Sequence, residues 1–89
     1  MKTIKFVVAD AVGLHARPAT VLVTSISNSL SNVEIKYQDK KVNLKSIMSI
    51  LSLAVPGEAE VEIFVEGEDE KETTKQLLTT LKETGIAKL

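Results

Sequence analysis

The stretch Glu60-Val61-Glu62-Ile63-Phe64-Val65-Glu66 sets apolar residues at 61, 63 and 65 between carboxylates at 60, 62 and 66. A period of two belongs to a strand with one buried face and one wet face, so another layer must cover the apolar side. Toward the C-terminus, Gly67 breaks the strand. Asp69 with Glu72 three residues later then reads as a capping box before Thr74, Leu77, Leu78 and Leu81 at helical spacing. Gly85 fits a C-cap. Toward the N-terminus, "PGEAE" is a turn, and Ser46 is a good N-cap for a short helix carrying Ile47, Ile50 and Leu51.

Val33, Ile35 and Tyr37 alternate as another strand, paired across the polar turn "QDKK" with a short one holding Val42 and Leu44. Before them, Ala16, Ala19, Leu22, Val23 and Ile26 make a helical stripe, ended by the polar run "SISNSLSN". Pro18 has no N–H and is tolerated only in a first turn, so this helix starts at residues 15–17. Ile4, Phe6 and Val8 alternate as the first strand. The order β-α-β-β-α-β-α predicts an α+β open-faced sandwich: a four-stranded antiparallel sheet with three helices on one face, residues 1–89 forming a single domain.

Composition narrows the function. The 89 residues are 44% hydrophobic, enough for one core, and contain no cysteine and one histidine. Disulfides, a thiol nucleophile and a clustered-imidazole metal site are therefore not expected, nor is any cofactor. A net charge of −1 with three aromatics (Phe6, Tyr37, Phe64) argues against a nucleic-acid surface. No apolar run approaches a membrane span or completes a signal peptide, so the expected location is the cytoplasm, without membrane insertion. Residues 1–45 hold seven Lys/Arg against three Asp/Glu, and residues 46–89 four against nine. Either the two halves interleave as solvated faces, or the fold carries two patches of opposite sign. The eight acidic residues of 58–72 are most simply a solvated strand face and helix start.

The chemistry concentrates in Gly13-Leu14-His15-Ala16-Arg17-Pro18, which puts the histidine at a helix N-terminus. Unpaired N–H groups and the positive end of the helix dipole converge there, and Arg17 adds a permanent charge, which together suit phosphate. The same field favours the neutral imidazole, whose lone pair can attack. Gly13 lets the backbone take a conformation barred to other residues. A nucleophile beside an anion cradle points to phosphorylation of the ring.

"GLHARPAT" at 13–20 and "VNLKSIMSILSL" at 42–53 resemble the HPr family of phosphocarriers of the bacterial sugar phosphotransferase system, and the likeness covers essentially the whole chain. The resemblance implies a stoichiometric carrier, not an enzyme. In it, His15 accepts a phosphoryl group on Nδ1 from phosphorylated enzyme I and passes it to an enzyme IIA component. Arg17 would steady the phosphoryl oxygens, with the backbone N–H groups of Ala16 and Arg17 facing them. It also implies that Ser46 is a regulatory phosphorylation site for an ATP-dependent HPr kinase. That modification weakens acceptance from enzyme I and promotes binding to a transcriptional regulator of carbon metabolism. Ile47, Met48 and Leu51, with Thr20, Thr24 and Ser27 on the first helix, would form the partner surface of a monomer. Ser49 and Ala54 stand where many relatives carry glycine, and the hairpin "YQDKKV" lacks the glycine common there.

Two other readings compete. A phosphate-releasing hydrolase of the acylphosphatase kind would use Arg17 to bind and a water to attack, although no asparagine or carboxylate is poised beside the cradle in sequence. A regulatory module acting through Ser46 alone would leave His15 unphosphorylated.

Overall fold

The computed structural model describes residues 1–88. The elements are β1 (Lys2–Val8), α1 (Ala16–Ser25), β2 (Asn32–Tyr37), β3 (Lys40–Asn43), α2 (Ile47–Ser52), β4 (Glu60–Glu66), α3 (Glu70–Thr84) and β5 (Ala87–Lys88). They form one sheet in the order β3-β2-β4-β1-β5, with every neighbouring pair antiparallel.

The sheet has five strands among the described residues, not the four expected. Gly85 ends α3 in the left-handed region at φ 71° and reverses the chain. Ala87 and Lys88 then pair with Val8 and Val7 of β1. Two residues are too short for alternation to show, so the sequence pattern carries no sign of this strand.

Ile4, Phe6 and Val8 of β1, Val33 and Ile35 of β2, and Val61, Ile63 and Val65 of β4 are all buried. Adjacent registers align these rows, for example Ile4 opposite Ile63 and Ile63 opposite Ile35. Ala19, Leu22 and Ile26 of α1, Ile50 of α2, and Leu77 and Leu81 of α3 belong to the same core cluster. β1, β2 and β4 each bury one face only, so the three helices share one side of the sheet. The other side is wet and mixes the chain halves: Glu62 lies opposite both Lys5 and Lys36. Lys41 Nζ lies 4.4 Å from the centre of the Phe64 ring, where the π-face attracts its charge. The opposite charges of the two halves thus interleave on this face.

Three helix details differ from the expectation. Ala16 is exposed instead of joining the buried stripe, because it is the first residue of α1. Asp69 is the N-cap of α3 but makes no side-chain cap; its carboxylate accepts from the Leu30 N–H at 2.8 Å and from the Ser31 hydroxyl. The loop at 29–31 offers donors that outcompete the capping box. Thr73, one position from the expected Thr74, is the threonine fully buried, at 1% exposure, its hydroxyl satisfied by Ser29 at 2.6 Å.

Candidate phosphoryl-acceptor site

His15 is the N-cap residue of α1, in extended conformation, and its side chain makes no capping bond. The first intrahelical bond runs from the Ala19 N–H to the His15 carbonyl at 3.1 Å, and Pro18 occupies the third position of the first turn. The N–H groups of Ala16 and Arg17 are therefore among those a helix start leaves without intrahelical partners.

Two contacts fix the approach of this loop. Gly13 takes φ 89° and packs so tightly that a Cβ there would stand 2.0 Å from the Val55 carbonyl oxygen. The next residue, Leu14, donates its N–H to the same oxygen at 3.0 Å and is itself buried. The segment after α2 thus holds the head of α1 in place.

A group not foreseen in the sequence completes the site. Asp10 Oδ2 lies 3.2 Å from His15 Nε2, while its Oδ1 accepts the Val12 N–H at 2.8 Å. Those two contacts, the backbone one larger, hold the Asp10 carboxyl below the usual range. An ionised carboxylate only accepts, so Nε2 is the ring nitrogen that donates to it, and in the neutral ring the lone pair then falls on Nδ1. An aspartate bonding the N–H two residues on is a familiar loop device, and "DAVG" is the signal for it. The His15 side chain remains 36% exposed.

Arg17 is exposed and, with Asp10, Pro18, Val21, Thr84, Gly85 and Ile86, lines a shallow hollow of about 190 Å³ beside the ring's loop. Thr20, Thr24 and Ser27 are exposed along α1. Met48 is 76% exposed, whereas Ile47 and Leu51 are half-buried against the core and present only part of their surface. Ser46 caps α2, its Oγ accepting from the Ser49 N–H at 3.2 Å, as expected. The fold packs α1 against α2, but Ser46 lies at the end of α2 remote from the Leu14–Val55 tie, apart from His15. Among the described residues no group of three or more His, Cys, Asp or Glu could hold a metal, and no helix is long and apolar enough to cross a membrane.

Comparison with known proteins narrows the readings. Residues 2–83 match the family model described as the PTS HPr component phosphorylation site. The chain belongs to the HPr family. It is 41% identical over 87 residues to the phosphocarrier protein HPr of Lysinibacillus sphaericus, covering 98% of this chain and 99% of that one. The histidine-containing phosphocarrier protein of Mycoplasma superposes with a TM-score of 0.94 at 33% identity, covering 99% of this chain and 100% of that one. The Bacillus subtilis catabolite repression protein Crh, described as a dimer with a swapped domain, gives 0.71 at 40% identity, with coverage of 93% and 95%. Membership of the HPr family makes the chain a phosphocarrier of the phosphotransferase system, a relay component and not a catalyst. The hydrolase reading is thereby set aside.

Proposed function

We propose that His15 is the phosphoryl acceptor, taking the group on Nδ1 from phosphorylated enzyme I and passing it to sugar-specific enzyme IIA components during sugar uptake. The observation that carries this reading is the ring's orientation at the head of α1, with Nε2 engaged by Asp10 and Nδ1 left as the lone-pair nitrogen. As the new N–P bond forms, the donor's bond to phosphorus breaks and its electron pair stays with the donor. The phosphoryl oxygens then face the Ala16 and Arg17 N–H groups and the Arg17 guanidinium. Phosphoryl transfer is mostly positioning and electrostatics, so an exposed site without its own metal suffices once partners add theirs. Helix-dipole contacts of about 0.3–1 kcal/mol hold the group without trapping it.

The same reading takes residues 1–89 as one HPr-like domain acting in the cytoplasm as a monomer, docking partners through Thr20, Thr24, Ser27, Ile47, Met48 and Leu51. Lysines at 40 and 41 on the edge strand β3 favour the monomer, because charge on an edge discourages strand pairing between copies. Ser46 is the regulatory site, modified by an ATP-dependent kinase, its phosphate disturbing partners more than the fold because a helix N-terminus favours the charge. Binding to a carbon-catabolite transcriptional regulator follows from that modification.

The test is delivery. Phosphorylated protein, freed of enzyme I and mixed with an enzyme IIA domain, should lose its label to that domain, with little released as inorganic phosphate. Label released only as phosphate, with none on the IIA domain, contradicts the carrier role.

A further inference from the structure

The relay reading takes the Asp10 contact only as a mark of how the ring is oriented and gives the carboxylate no part in the transfer itself. Asp10 sits on the loop between β1 and α1, and its two carboxylate oxygens are engaged separately. Oδ1 accepts the Val12 N–H at 2.8 Å, and Oδ2 faces His15 Nε2 at 3.2 Å. The first contact makes the second directional. Asp10 also anchors the loop through its own backbone, since its carbonyl accepts the Gly13 N–H at 3.0 Å. A carboxylate pinned at the backbone in this way can neither rotate freely nor follow the ring, so the imidazole must orient to it.

We propose that Asp10 is a positioning residue for phosphoryl transfer: by accepting from Nε2–H it keeps the His15 lone pair on Nδ1 and stabilises the imidazolium character of the transfer step. The inference rests on His15 being the acceptor. When Nδ1 bonds to phosphorus, with the donor's bond breaking and its electrons leaving with the donor, the ring becomes more positive. The opposite nitrogen is where that charge meets the carboxylate. When the group moves on, the N–P bond breaks, its electron pair returns to Nδ1, and the ring still holds its proton on Nε2. No proton has to move in either direction, which suits a relay that must run both halves of its cycle at one site. Asp10 touches the ring and not the phosphoryl group, so it acts through His15.

Replacement by asparagine separates this role from simple support of the loop. In Asp10→Asn the amide oxygen can still accept from Val12, while the amide nitrogen meets Nε2 with a donor and demands a lone pair there. The preferred tautomer is thereby reversed, with the proton on Nδ1. Nitrogen-15 NMR of the imidazole, recorded on the intact chain where the ring is neutral, should show Nδ1 without a proton in the wild type and protonated in Asp10→Asn. Phosphorylation by enzyme I and phosphoenolpyruvate should slow by roughly 10–100-fold, the span of a hydrogen bond to a charged group. Asp10→Ala, which loses the Val12 contact too, should be less thermostable than Asp10→Asn.

An Asp10→Asn protein that is labelled at the wild-type rate overturns the proposal, and so does one that is slowed while its tautomer is unchanged. The acceptor assignment fails by a different result, labelling that survives His15→Ala, so the two failures are distinguishable.

Discussion

The Val55 carbonyl oxygen accepts the Leu14 N–H at 3.0 Å while standing where a side chain on Gly13 would have to be, 2.0 Å from its Cβ position. One oxygen therefore both ties the loop that carries His15 to the segment after α2 and forbids any residue but glycine at its approach. Gly13→Ala must displace that backbone and also strain a φ of 89°. A loss of about 2–4 kcal/mol in chemical denaturation is expected, together with slower phosphorylation. Unchanged stability would mean that the loop has another way to seat.

Asp69 governs the acid end of the stability profile. The Ser31 hydroxyl, followed by the Leu30 N–H, lowers its pKa from 3.8 to about 2. A carboxyl with a depressed folded value contributes stability that is present above its unfolded value and lost as pH falls through the folded one. Stability should therefore drop between about pH 5 and pH 2, and more gently in Asp69→Asn. Denaturation curves collected over that range check this, and parallel profiles for the two proteins would contradict it. Asp10 and Glu70, also lowered, add a background that both proteins share.

Ala54 and Gln38 hold left-handed backbone at φ 52° and 56°. Ala54 lies where the family resemblance points to glycine, and Gln38 lies in the hairpin "YQDKKV", which lacks the glycine common between these strands. The left-handed region costs a residue with Cβ about 1–2 kcal/mol, and glycine gives back part of that in unfolded-state entropy. Ala54→Gly should raise stability by about 0.5–1 kcal/mol, read as a higher denaturation midpoint at an unchanged slope.

Ser46 joins an N-cap to the proposed modification site, and substitution separates the two. Removing the Oγ that accepts from the Ser49 N–H, in Ser46→Ala, should cost about 1 kcal/mol. Ser46→Asp keeps a capping oxygen and adds the charge, so its melting temperature should stay near the wild type while phosphorylation by enzyme I slows. A destabilised Ser46→Asp protein would contradict the view that charge at this helix end leaves the fold intact.

Alternation and helical spacing made most of the architecture legible. The row 61, 63 and 65 is buried as its pattern requires, and Pro18 located the head of α1 to within a residue. What escaped was long-range or very short. The pairing of Ala87 and Lys88 with β1 spans too few residues to leave a period. Asp69 turned from its helix to donors nearly forty positions away, a competition that no local capping rule registers. At the candidate site, the placement of His15, Ala16 and Arg17 at a helix start was legible, whereas the Asp10 contact was not, because it depends on how the loop folds back. Met48 stands out in solvent as expected, but Ile47 and Leu51 are shared between surface and core, since a six-residue helix has too few positions to keep the two roles apart.

Mass spectrometry of the chain after incubation with enzyme I and phosphoenolpyruvate tests the central assignment most directly. One phosphoryl group per molecule, located on the imidazole of His15, lost in acid, kept in base and missing from His15→Ala, is the predicted result. A chain that stays unmodified, or one labelled at another residue when His15 is replaced, would contradict it.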